Sequence, residues 1–78
     1  MMLEIRLYAT LRRYAAVDKD GAVAVNFTEG MTVEDLFALL DIPAAEVKLA
    51  MVNGKSAEFT EVLAITDRVG LFPPVGGG

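Results

Sequence analysis

At 78 residues the chain is sized for one compact domain, near the lower limit for a single core, and its 54% hydrophobic content supplies that core without staples. It has no cysteine and no histidine, which excludes structural zinc of the Cys/His kind, iron–sulfur ligation, thiol nucleophiles and imidazole-dependent triads. The net charge of −4 comes from 11 acids against 7 bases, with no basic run longer than Arg12-Arg13. This balance argues against nucleic acid as the partner and suits a basic protein surface.

Met1-Met2-Leu3-Glu4 has neither a basic n-region nor a following apolar stretch, so no signal peptide is expected. No apolar run approaches the ~20 residues that span a bilayer, and a cytoplasmic protein with no membrane partner is expected. Leu3 to Ala9 alternates, which places Leu3, Ile5 and Leu7 on one face of a half-buried strand. Thr10 to Ala16 loses that period and suits a short helical turn. Asp18-Lys19-Asp20-Gly21 marks a reversal, and a second strand follows with Val23, Val25 and Phe27 on one side. The short connection predicts that the two strands run antiparallel.

Thr32 is a suitable N-cap for the clearest helix, and Asp35 adds negative charge near its positive end. Val33, Leu36, Phe37 and Leu40 form the apolar stripe, and Asp41-Ile42-Pro43 stops the helix. Glu46 to Val52 is expected as a third strand, followed by a hairpin turn at Asn53-Gly54. Lys55 to Thr66 is ambiguous; Phe59, Val62, Leu63 and Ile65 suit a short strand and a helical turn. Val69-Gly70-Leu71-Phe72 is the last alternating run. The order predicts an α+β domain, a mixed four- or five-stranded sheet with one main helix across one face, over residues 1–72.

No side-chain constellation suggests catalysis. Glu34 with Asp35 and Glu58 with Glu61 occur where solvated faces are expected, and Ser56 has no imidazole to activate it. Gly76-Gly77-Gly78 is no phosphate loop, since neither helix nor lysine follows. The segment 73–78 nevertheless has a chemical design. Pro73-Pro74 fixes two φ angles and favours an extended path. Beyond Val75 come three residues without a Cβ, able to enter a slot too narrow for side chains. Val75 to Gly78 reaches roughly 13–14 Å at about 3.3–3.6 Å per residue. A glycine-rich end alone would suit a frayed terminus; the apolar strand, double proline and glycine tip together favour a tail inserted into another protein's active site. Phe72, on the opposite face from Val69 and Leu71, is either an anchor for a partner or a cover for the edge of the core. Arg6 and Arg68 are expected at ordinary solvated positions, and nothing in the sequence assigns Tyr8 or Tyr14.

Several segments resemble the MoaD/ThiS group of ubiquitin-like sulfur carriers, and within it the small subunit of molybdopterin synthase. Tyr8-Ala9-Thr10-Leu11-Arg12 is similar to the segment after that family's first strand. Glu29-Gly30-Met31-Thr32-Val33-Glu34-Asp35-Leu36 is similar to its helix entry, and Ala50-Met51-Val52-Asn53-Gly54 to its third strand and turn. Val69-Gly70-Leu71-Phe72-Pro73-Pro74-Val75 with the diglycine ending is the most specific match and points to the molybdopterin branch over the thiamin branch. The chain departs from the pattern at Ile65-Thr66-Asp67, where the family usually has an Asp-Gly-Asp-like turn, and at Gly76, often a small polar residue.

The resemblance implies a β-grasp fold with the first and last strands adjacent and parallel. It implies a non-catalytic subunit of a sulfurtransferase that binds no cofactor itself. An E1-like activating enzyme would use ATP to adenylate Gly78, a sulfur donor enzyme would convert the adenylate to a thiocarboxylate, and the large subunit would receive the tail. Gly78 is then the reacting residue, Pro73, Pro74, Val75, Gly76 and Gly77 the inserted segment, and Phe72 an interface residue. Sulfur transfer for thiamin, thiolated tRNA or cysteine, conjugation to proteins through Gly78, and a non-covalent binding module with an idle tail are the alternatives.

Overall fold

Leu3, Ile5 and Leu7 are fully buried on one side of strand β1 (Met2–Leu7), and the residues between them face solvent, as the alternation predicts. The computed structural model describes residues 1–15 and 18–74. A 3-10 turn, Ala9–Tyr14, follows β1 and buries Leu11; Ala16, the end of the expected helical turn, lies outside the described residues. Strand β2 (Ala22–Asn26) returns antiparallel, pairing Leu3 with Val25 and Ile5 with Val23. Val25 is buried, while Val23 and Phe27 pack half-buried against the core.

Helix α1 (Val33–Leu39) presents Val33, Leu36, Phe37 and the capping Leu40 to the core, the stripe expected from its spacing. The Asp35 carboxylate accepts a 2.8 Å hydrogen bond from the Thr32 backbone N–H, as in a capping box. The helix stops before its proline: Asp41 takes a left-handed φ of 56°, and Ile42 N–H donates to the Phe37 carbonyl at 2.8 Å. That is a Schellman ending, with Ile42 and Phe37 both buried beside it.

The third strand is shorter than expected. Ala44–Glu46 form a 3-10 turn, and β3 spans Leu49–Val52. Pro43 (φ −60°) starts that turn, and its carbonyl accepts the Glu46 N–H at 2.9 Å, which takes Glu46 out of any ladder. Asn53 and Gly54, with φ of 54° and 82°, make a primed hairpin turn to β4 (Lys55–Ala57). In the ambiguous stretch, Leu63 is buried and Phe59 meets Phe37 edge-on with centroids 5.0 Å apart, whereas Val62 forms only a bridge to Thr32 and is exposed.

Strand β5 (Val69–Phe72) completes a mixed sheet of order β2-β1-β5-β3-β4. β5 runs parallel to β1 and antiparallel to β3. One hydrophobic core joins α1 to the inner faces of β1, β3 and β5. The opposite face of the sheet has no helix on it among the described residues, an α+β arrangement with the helix on one side.

Candidate functional site

β5 is the third of five strands, so the chain leaves the sheet from its middle. Val69 and Leu71 point into the core, and Gly70 and Phe72 lie on the open face. Both neighbours hold the end of the strand: Tyr8 N–H donates to the Leu71 carbonyl at 3.2 Å, and Lys48 N–H donates to the Phe72 carbonyl at 2.8 Å. Pro73 is half-buried and Pro74 exposed. Val75, Gly76, Gly77 and Gly78 lie outside the described residues.

Phe72 is half-buried and stacks on Tyr8, with centroids 4.3 Å apart and planes 7° from parallel. The register explains the pair: Leu7 lies opposite Leu71 across the parallel ladder, so the next residues, Tyr8 and Phe72, come side by side. Gly70 makes room beneath them, since a Cβ there would lie 3.2 Å from Tyr8 Cε2 and 3.5 Å from Phe72 Cε1. Sequence reasoning missed Tyr8; the signal was available only once β1 and β5 were aligned in register.

The open face around this pair forms a hollow of about 460 Å³, with Arg6, Arg68, Met51 and Glu4 on its walls. Arg6 and Arg68 are both exposed, as expected, and line the same hollow as the aromatic pair. Leu49 lies opposite Phe72 and Met51 opposite Gly70 on β3, which extends the apolar row across three strands. The hollow is therefore lined by aromatic and aliphatic side chains with two cations and one acid, on a chain whose net charge is −4.

The turn before β5, where Ile65-Thr66-Asp67 departs from the family pattern, is built around Asp67. Its carboxylate accepts from Ala64 N–H at 2.8 Å and from the Asn53 side-chain amide at 2.9 Å. The Asn53 side-chain oxygen in turn accepts from Arg68 N–H at 2.9 Å, and Asn53 N–H donates to the Arg68 carbonyl at 2.8 Å. The hairpin turn thus grips the start of β5, and the strand is fixed at both ends.

Other acids do structural work. Asp18 Oδ1 accepts from Ala22 N–H at 3.0 Å and Asp20 N–H at 2.8 Å, and these bonds lower its pKa below the ordinary aspartate value. Glu46 accepts from the Tyr14 hydroxyl and from Arg13, both at 2.9 Å, linking the two 3-10 turns. Tyr14 first and Glu46 second hold the Arg13 guanidinium in its charged form, with its pKa raised. Glu34, Glu58, Glu61 and Ser56 are exposed. Among the described residues no group of three His, Cys, Asp or Glu could hold a metal ion, and no helix is long and apolar enough to cross a membrane.

The ThiS family model matches residues 5–78. Among solved structures, the chain is similar to SAMP1 of Haloferax volcanii, a small archaeal modifier protein, with 28% identity, TM-score 0.70 and full coverage of both chains. It is similar in fold to a putative molybdopterin converting factor subunit 1 from Pyrococcus furiosus: 24% identity, TM-score 0.72, 96% of this chain and 99% of that one. The same holds for a chain of the complex of subunits 1 and 2 of the molybdopterin-converting factor from Helicobacter pylori 26695: 21% identity, TM-score 0.61, full coverage of both. No curated protein matches the chain at a significant level. With 74 of its positions inside the family match and a five-stranded sheet ordered around a parallel β1–β5 pair, the chain belongs to the ThiS family of MoaD/ThiS-like, ubiquitin-like sulfur carriers.

Proposed function

We propose that the chain carries sulfur on the carboxylate of Gly78 and delivers it in molybdopterin synthesis. The observation that carries the reading is β5, held at both ends in the middle of the sheet and running straight into Phe72-Pro73-Pro74, within a family match that continues to residue 78. A bare carboxylate is a poor electrophile. An E1-like enzyme supplies ATP, one Gly78 carboxylate oxygen attacks the α-phosphorus, and pyrophosphate leaves. Sulfur at the sulfide level, from a donor enzyme, then attacks the acyl carbon, and AMP departs with the oxygen it gained.

The thiocarboxylate tail, Pro73 through Gly78, next enters a large catalytic subunit, where its sulfur goes to a pterin precursor that becomes the dithiolene for molybdenum or tungsten. Phe72 and the apolar row beside it contact that partner. The chain itself is a non-catalytic carrier and works in the cytoplasm. Support for the large subunit comes from the Helicobacter pylori structure, which pairs a similar fold with subunit 2 of its converting factor. The Phe72-Pro73-Pro74 root favours this acceptor over thiamin, tRNA or cysteine.

A second reading has a specific observation behind it: the 28% identity to an archaeal modifier protein favours conjugation of Gly78 to lysines. Both readings need activation at Gly78. Deleting Gly77 and Gly78 is expected to leave the far-UV circular dichroism spectrum and melting temperature unchanged and to abolish ATP–pyrophosphate exchange by the E1-like enzyme. Full exchange by the shortened chain would exclude both.

A further inference from the structure

We infer that Tyr8 is a positioning residue that sets the launch direction of the tail by holding the Phe72 ring. The inference rests on the sulfur-carrier reading above. Phe72 is the last residue of β5, and its carbonyl, tied to Lys48 N–H, begins the peptide bond to Pro73. Proline fixes the next φ near −65°, so the orientation of the Phe72 backbone passes directly into the tail. Backbone hydrogen bonds hold that residue on the β3 side. On the β1 side the ladder reaches only Leu71, through Tyr8 N–H. Contact between Tyr8 and Phe72 is made by the parallel rings alone, 4.3 Å apart.

The lever arm makes this contact matter. Pro73 and Pro74 are stiff and together reach about 6–7 Å, so a tilt of about 10° at the root displaces the start of the segment beyond them by about 1 Å. A misplacement of about 1 Å at a reacting group costs up to about a hundredfold in rate. Gly70 belongs to the same device, since a Cβ there would lie 3.2 Å from Tyr8 Cε2 and oblige the ring to shift by a few tenths of an ångström. The stacked ring faces make the contact, so the ring is the working part of Tyr8.

The test uses the full-length chain as wild type, Tyr8→Phe, Tyr8→Leu and Gly70→Ala. The readouts are KM and kcat for the carrier in ATP–pyrophosphate exchange with the E1-like enzyme from the same cells, melting temperature, and the NMR shifts of the Phe72 ring. Tyr8→Phe should keep the ring-current shift of Phe72 and stay within about twofold of wild type. Tyr8→Leu should lose that shift and lower kcat about threefold to tenfold with KM little changed, because the body still binds while the tail is misdirected. Gly70→Ala, which disturbs the stack from the other side, should also lower kcat, and it carries the test if Tyr8→Leu does not fold. A rise in KM alone would make Tyr8 a partner contact, and an unchanged kcat with a lowered melting temperature would make it purely structural; either overturns the inference. A wild-type chain that is not activated overturns the sulfur-carrier reading instead, a separate result.

Discussion

Gly21 shows how one residue can be held by two constraints. Its φ of 82° lies in the left-handed region, and a Cβ there would fall 2.7 Å from the Leu7 carbonyl oxygen, which accepts the bond that closes β1 to the turn from Arg12 Nε. Gly21→Ala is therefore expected to cost at least about 1–2 kcal/mol from the backbone alone, read as a shift of the urea midpoint with an unchanged slope; a midpoint shift near zero would show that the turn can relax. In the same turn Asp18 has a lowered pKa because Ala22 N–H, then Asp20 N–H, bind its charged form. Its contribution is fully present above the ordinary aspartate value near 3.8 and is lost as the pH falls through the lowered folded value. NMR titration should place the Asp18 midpoint below that of a model aspartate, and Asp18→Asn should flatten the acid limb of the stability profile. The Asp18-to-Gly21 reversal was legible from residue types; the Asn53–Asp67–Arg68 linkage was not, because it joins the Asn53 side chain to the Asp67 carboxylate and the Arg68 backbone N–H, fourteen and fifteen residues away.

At the scale of elements, helix α1 was the most legible part of the chain, since capping chemistry and a 3.6-residue stripe point to the same segment. Leu36 is fully buried, so Leu36→Ala should destabilise the domain by about 2–5 kcal/mol in chemical denaturation. A loss of only a few tenths would mean that the side chain is not enclosed as described. The start of β3 was not legible. Glu46 to Val52 contains an alternation compatible with one strand, but Glu46 is drawn into a turn by Pro43 and held by Tyr14 and Arg13 from a distant segment. Within Asp41-Ile42-Pro43 it is the left-handed Asp41 that ends α1, before the proline is reached. Val62 adjoins the buried Leu63 in the ambiguous stretch, yet it is exposed, because a one-residue bridge to Thr32 does not impose strand periodicity on its neighbours.

For the whole molecule, the strand order could be assembled from local patterns and a family resemblance, but periodicity alone does not say which strand pairs with which. The parallel β1–β5 pair is a long-range result, and with it come the Tyr8–Phe72 stack and the open face on which Phe72 lies. The chemistry proposed for the tail is read from Pro73-Pro74 and the glycines, but nothing local to them states where the fifth strand leaves the sheet. The sheet and helix form the base that shares one core, and the carboxylate of Gly78 is the group that reacts in the function proposed for it. The most direct measurement is the intact mass of the chain purified from cells that hold its own E1-like enzyme and sulfur donor, recorded beside a search for glycine remnants on lysines. Replacement of one Gly78 carboxylate oxygen by sulfur should add about 16 Da, with the terminus acting as carrier of the activated acyl group. Abundant lysine remnants with no sulfur-bearing species would contradict the sulfur-carrier account and make protein conjugation the primary function.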